Sequence, residues 1–126
     1  MTELLQRVFF ETLTDGIGKF VQLKILPEET PIISFGQGYH TEILERILRE
    51  MGIEFKIKKI LADRDIIEPE GERYKAVGMG MYRLDSGILM ISRKNSSFDY
   101  SLRLDESHFE EIKQHLPKDI TEVEFL

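Results

Sequence analysis

Apolar residues recur along this chain with two different periods, and each change of period marks an element boundary. Helical spacing is clearest before Gly52. Ile43, Leu44, Ile47, Leu48 and Met51 make one stripe, the pattern of a helix with a single buried face. Glu42 with Arg46 and Glu45 with Arg49 stand four apart in the favourable acid-first order. Gly52 is the residue expected to stop the helix in a left-handed conformation, with Ile53 where the accompanying apolar contact falls. Upstream, Ile32-Ile33-Ser34-Phe35 reads as a short buried strand, and Gly36-Gln37-Gly38 as a tight turn into the helix. Downstream, Ile53, Phe55 and Ile57 alternate with Glu54, Lys56 and Lys58, a half-buried strand. Strand, helix and strand with short joints predict a right-handed crossover.

The flanks follow the same logic. Val8-Phe9-Phe10-Glu11-Thr12-Leu13, the turn residues Asp15-Gly16 and the run Phe20 to Ile25 predict an N-terminal hairpin, interrupted by Pro27 and Pro31. A polar loop is expected through Asp63, Arg64, Asp65, Glu68, Pro69 and Gly71. Strands over Tyr74 to Leu84, Gly87 to Arg93 and Tyr100 to Leu104, with turn chemistry at Asp85-Ser86-Gly87 and Asn95-Ser96-Ser97, predict an antiparallel meander. Ser107-x-x-Glu110 has the form of a capping box opening a second helix that buries Phe109, Ile112 and Leu116 and stops before Pro117. Ile120 to Phe125 closes as a strand. The expectation is one α+β domain over 1–126: a mostly antiparallel sheet with two helices packed on one face, a ferredoxin-like core with extra strands.

Composition narrows the chemistry. The chain has 126 residues, 41% hydrophobic and 32% charged, enough apolar side chain for a core and too much for a disordered chain. It has no cysteine, which excludes disulfides, thiolate metal sites and cysteine nucleophiles. The start lacks a basic segment followed by an apolar run, and no apolar stretch is long enough to span a bilayer, so the sequence reads as cytoplasmic with no membrane partner. A single asparagine and frequent Glu, Lys, Arg and Ile fit a thermophilic source. The net charge of −6 weighs against nucleic acid, although residues 56–103 hold an excess of basic residues.

Four groups of residues have candidate chemistry. The strand-to-helix turn Gly36, Gln37, Gly38, Tyr39, His40 and Thr41 offers free backbone N–H groups and a positive helix end to a small anionic ligand, with Arg64 as a further ligand-binding residue. It lacks the third glycine of a dinucleotide fingerprint and the lysine of a P-loop, so no cofactor is expected. His40 is the candidate general acid or base. Asp63, Asp65 and Glu68 lack the spacing of a calcium loop, and His108, Glu111 and His115 share a helical face without forming a recognised zinc motif, so no metal is expected. Lys56, Lys58, Lys75, Arg83, Arg93, Lys94 and Arg103, with Tyr74, Tyr82 and Tyr100, resemble in composition a sheet that binds single-stranded nucleic acid. Gly78-Met79-Gly80-Met81 is unusual, because glycine inside a strand marks a bulge or a close approach. These features support a non-catalytic binding, regulatory or assembly module with a homo-oligomeric or other protein partner. The alternatives are a small enzyme using His40, and a binder of RNA or single-stranded DNA.

Overall fold

The computed structural model describes residues 8–10, 15–61, 64–94, 97 and 100–126. It is an α+β fold dominated by a mostly antiparallel sheet. In chain order the elements are β1 (Val8–Phe10), β2 (Gly16–Ile25), β3 (Thr30–Gly36), α1 (His40–Met51), β4 (Phe55–Leu61), β5 (Arg64–Pro69), β6 (Tyr74–Asp85), β7 (Ile88–Ile91), α2 (Glu106–Ile112) and β8 (Glu122–Phe125). Six strands form the main sheet in the order β1-β3-β2-β6-β7-β8, while β4 and β5 form a separate two-stranded hairpin.

Alternation along the central strands builds two cores. Val21, Leu23, Ile32 and Met79 pack with Ile43, Leu44, Ile47 and Leu48 of α1. Their neighbours Phe20, Ile33, Phe35 and Tyr82 pack with Phe109 and Ile112 of α2. Because successive strand residues point to opposite faces, the helices sit on opposite faces of the sheet. The expectation of both helices on one face, as in a ferredoxin-like core, is corrected by this division. Ile32-Ile33 and Phe20-Val21 are apolar at consecutive positions because both faces are covered.

Three strand pairings also differ from expectation. The strand β2 forms its hairpin with β3, Lys24 lying opposite Pro31, and β1 joins β3 in parallel instead of pairing with β2. The expected residues 11–14 of the first strand lie outside the described residues. The strand after α1 does not cross back into the main sheet: β4 pairs antiparallel with β5, which takes up Arg64 to Pro69 of the expected polar loop. Asp63 lies outside the described residues. The period-2 pattern of residues 53–58 shows a strand but carries no information about its partner. The hairpin β6–β7 is as expected, but Tyr100 to Leu104 is not a third strand. Its Arg103 carbonyl accepts from the Met79 N–H at 3.3 Å, on the part of β6 that β7 is too short to reach, and Leu102 and Leu104 enter different cores. The turn residues Asn95 and Ser96 lie outside the described residues.

Both helix ends have local chemical causes. At the end of α1, Gly52 adopts φ 69°, its N–H reaching the Arg49 carbonyl while the Ile53 N–H reaches Leu48 at 2.9 Å, a Schellman closure. A Cβ at Gly52 would meet nothing within 4 Å, so Gly52→Ala tests backbone strain alone. Its expected cost is about 1 kcal/mol in urea unfolding. Helix α2 is capped by Asp105, whose carboxylate accepts the His108 N–H at 3.1 Å, and not by Ser107. Asp105 sits two residues earlier, and its carboxylate is an equally good cap. Among the described residues no helix is long and apolar enough to cross a membrane.

Candidate functional site

The strand β3 delivers the chain to Gly36, above which Ile43 of α1 packs. Gly38 then turns with φ 94°, and a Cβ there would lie 2.6 Å from a Glu42 carboxylate oxygen. Glu42 is so close because it folds back over the start of α1 and accepts the Tyr39 N–H at 2.7 Å. The positive end of the helix therefore already holds a carboxylate from its own first turn, and an incoming anion would meet that charge. Tyr39 is 73% exposed, and the Lys19 ammonium lies 5.1 Å from the centre of its ring. Burial pushes the pKa of the Tyr82 hydroxyl up, and Gln37 draws it back in part. A groove of about 340 Å³ runs beside the turn, lined by Ile17, Lys19, Gln37, Tyr39 and Met81 among others.

His40 and Thr41 turn away from that groove's chemistry. His40 is buried, and its Nε2–H donates to the Gly80 carbonyl of β6 at 3.0 Å, since a carbonyl can only accept. Thr41 ties α1 to the β4–β5 hairpin. Its hydroxyl donates to the Asp65 carbonyl at 3.1 Å and accepts from the Tyr100 hydroxyl at 2.9 Å, which itself accepts the Ile67 N–H at 2.8 Å. Arg64 opens β5, one residue before that Asp65 carbonyl, so the hairpin does come to the start of α1. The structure thus brings together Gln37, Gly38 and Tyr39 at a groove, and uses His40 and Thr41 as ties to the sheet and hairpin.

The most connected polar cluster lies on the other face, and sequence reading missed it. Gln22 is fully buried on β2. Its amide donates to the Asp105 carbonyl at 3.0 Å and to His108 Nδ1 at 3.1 Å, while its carbonyl accepts the Asp105 N–H at 2.9 Å. His108, 1% exposed, donates from Nε2 to the Leu23 carbonyl at 2.7 Å, and with Nδ1 accepting from the Gln22 amide the ring is the neutral Nε2–H tautomer. Opposite Gln22 stands Gly78, where the β2–β6 register shifts. A Cβ there would fall on the Gln22 carboxamide oxygen. The glycine inside β6 and the polar Gln22 within an apolar strand were the signals, and they become readable together once the β2–β6 register is known.

Among the described residues no three His, Asp or Glu side chains gather closely enough to hold a metal ion. His108 is buried against the sheet while Glu111 and His115 are exposed, and His115 belongs to a 3-10 turn that breaks the helical register. The basic residues are dispersed: Lys56 and Lys58 on the hairpin, Lys75 and Arg83 at positions of opposite phase about the β6 bulge. Tyr74 and Tyr82 are buried and Tyr100 is held by internal bonds, so these rings are not free to stack on bases. No protein-family model matches the chain, and a search of curated proteins finds no match.

Proposed function

We propose that the chain is a non-catalytic binding and assembly module that acts through contact with a protein surface. The observation that carries this reading is the commitment of its acid–base candidate: His40 is buried and spends Nε2 on a backbone carbonyl of the sheet. His108 is spent in the same way on the opposite face. Each helix carries in its first turn a histidine that fastens it to a central strand, an architectural use of imidazole. The small anionic ligand first considered at Gly36 to Thr41 is disfavoured by the Glu42 carboxylate at that helix end.

Substituting His40 by alanine tests the reading. Residues held for chemistry are replaced with little loss of stability, or with a gain. A buried tie is not, because the Gly80 carbonyl is left without its donor, and the expected loss is about 2 kcal/mol in urea unfolding. A His40→Ala protein as stable as the parent would return His40 to the list of catalytic candidates and sink the proposal.

A further inference from the structure

Among the described residues β4 is paired on one side only, with β5, and β8 on one side only, with β7. The outer side of β5 is closed, because its Asp65 carbonyl accepts from Thr41 and its Ile67 N–H donates to Tyr100. Those bonds also fix the phase of the hairpin. In an antiparallel pair, opposite residues turn their N–H and C=O groups either towards each other or both away. Ile67 turns its N–H away and Pro69 has none to give, so their partners Ile57 and Phe55 direct theirs to the free side of β4. In β8 the bonds to β7 come from Glu122, whose N–H reaches Gly87 at 3.4 Å, and from Leu126, whose N–H reaches Ile91 at 2.9 Å and whose carbonyl accepts from Arg93 at 3.1 Å. By alternation Val123 and Phe125 direct their groups to the free side of β8. Among the described residues no backbone partner meets any of these four on that side.

The two free edges match in phase and in charge. Along β4, Lys56 and Lys58 share one face and Phe55 and Ile57 the other; along β8, Glu122 and Glu124 share one face and Val123 and Phe125 the other. Antiparallel alignment of Phe55 with Phe125 sets Lys56 opposite Glu124, Ile57 opposite Val123 and Lys58 opposite Glu122. The outward groups of Phe55 and Phe125, and of Ile57 and Val123, then meet as hydrogen-bonded pairs. Both ion pairs fall at the alternate positions, where side chains approach closest. A parallel alignment sets bonding residues opposite non-bonding ones, and so places each glutamate against an apolar side chain. Within the strand limits, β4 on β4 sets lysine against lysine and β8 on β8 sets glutamate against glutamate wherever two outward-facing residues are matched. Existing charges leave the balance in place. Lys58 lies 3.8 Å from Glu68 and Lys59 3.5 Å from Asp65, while Lys56 has no ion-pair partner among the described residues. Glu54, ahead of the strand, is diagonal to Glu124, which meets Lys56 directly and Lys58 on the other diagonal. Arg83 and Asp85 stand two strands in from β8 and offset each other. Glu122 raises the pKa of the Glu124 carboxyl through a hydrogen bond and like charge, a repulsion that lysines across the seam relieve.

Building on the assembly reading, we infer that β4 of one copy of this chain pairs antiparallel with β8 of another, Phe55 opposite Phe125, so that the hairpin of one extends the main sheet of the next. Backbone bonds supply the attraction, and Lys56 and Lys58 against Glu124 and Glu122 set direction and register. The seam covers Ile57, which is 54% exposed in the single chain and borders an open groove of about 700 Å³ shared with Arg49, Ile53 and Phe55. Each copy offers one edge of each kind, so the assembly is head-to-tail.

Sedimentation equilibrium of the parent from about 10 µM to about 1 mM is expected to show self-association, the range suited to a contact smaller than a standard interface. The charge-reversed variants Lys56→Glu/Lys58→Glu and Glu122→Lys/Glu124→Lys should each associate roughly tenfold or more weakly. All four substitutions in one chain should restore association to the parental level, which a folding defect would not allow. Ile57→Pro removes an outward N–H and no bond to β5, so it should abolish association and leave the far-UV circular dichroism unchanged. The inference is overturned by a parent that is monomeric throughout, by double variants that associate like the parent, by a four-substitution chain no better than the doubles, or by an Ile57→Pro chain that still associates. The assembly reading is tested apart from this, by the His40→Ala stability loss measured in the Ile57→Pro background. A monomeric parent with that loss intact overturns self-pairing alone, and a loss that vanishes there overturns the assembly reading.

Discussion

Replacing Gly78 by alanine is expected to lower the unfolding free energy by about 3 kcal/mol or more, far beyond the usual cost of adding one methyl group. The added Cβ would occupy the position of the Gln22 carboxamide oxygen and stand 3.0 Å from the Asp105 nitrogen. One of these groups must move. Rotating Gln22 away abandons its bonds to the Asp105 N–H, the Asp105 carbonyl and His108 Nδ1, the last of them fully buried. Each buried group left unpaired costs about 1–3 kcal/mol. Urea unfolding of Gly78→Ala measures the total, and a double-mutant cycle with Gln22→Ala assigns it. With Gln22 truncated there is nothing to displace, so the two substitutions should be coupled by about 2 kcal/mol. A Gly78→Ala protein within experimental error of the parent would show that the strand relaxes around the methyl group without breaking the cluster.

Local chemistry was legible in the sequence, and long-range pairing was not. Helix α1 could be read to its last residue because stripe, ion pairs and Gly52 are all set by neighbours within a few positions. Glu45 and Arg49 indeed pair at 2.8 Å. The β6–β7 hairpin followed from Asp85-Ser86-Gly87 for the same reason. The parallel β1–β3 pairing and the separation of β4–β5 from the main sheet depend on partners that alternation cannot specify. Helix placement failed through the same gap: Phe20-Val21 and Ile32-Ile33 are apolar on consecutive positions, and that doubling is the trace of a sheet covered on both faces.

The candidate site shows the same limit. Gly36-Gln37-Gly38 was rightly read as the turn into α1, but two facts decide its chemistry. Glu42 folds back onto the helix start, and the partner of His40 is the Gly80 carbonyl, 40 positions away in sequence. Gln22, Gly78 and His108 come from three distant segments, so no spacing rule could connect them. A polar residue in the middle of an apolar strand and a glycine within another strand were the two halves of one contact.

Removing the ring in His108→Ala is expected to cost about 3 kcal/mol at neutral pH, because the Leu23 carbonyl loses its donor, the Gln22 amide loses an acceptor, and a cavity opens under α2. The same residue makes stability depend on pH. Burial pushes the imidazole pKa below its usual 6.5, against smaller opposing effects of the Leu23 bond and of Asp105 and Glu111. The neutral ring is the one that fits, accepting at Nδ1 and donating at Nε2. As pH falls through 6.5 the unfolded chain takes up a proton at this residue before the folded chain does. Stability from the neutral ring is therefore full above that value and is lost progressively towards the depressed pKa of the folded state. Urea midpoints of the parent and of His108→Gln, measured from about pH 7 to about pH 5, isolate this contribution, since every other ionisable group is common to the two proteins. The gap between the two should narrow as the solution is acidified. A gap that stays constant over that range would mean that His108 titrates alike in the folded and unfolded chain, and that its place between Gln22 and Leu23 does not discriminate against the proton.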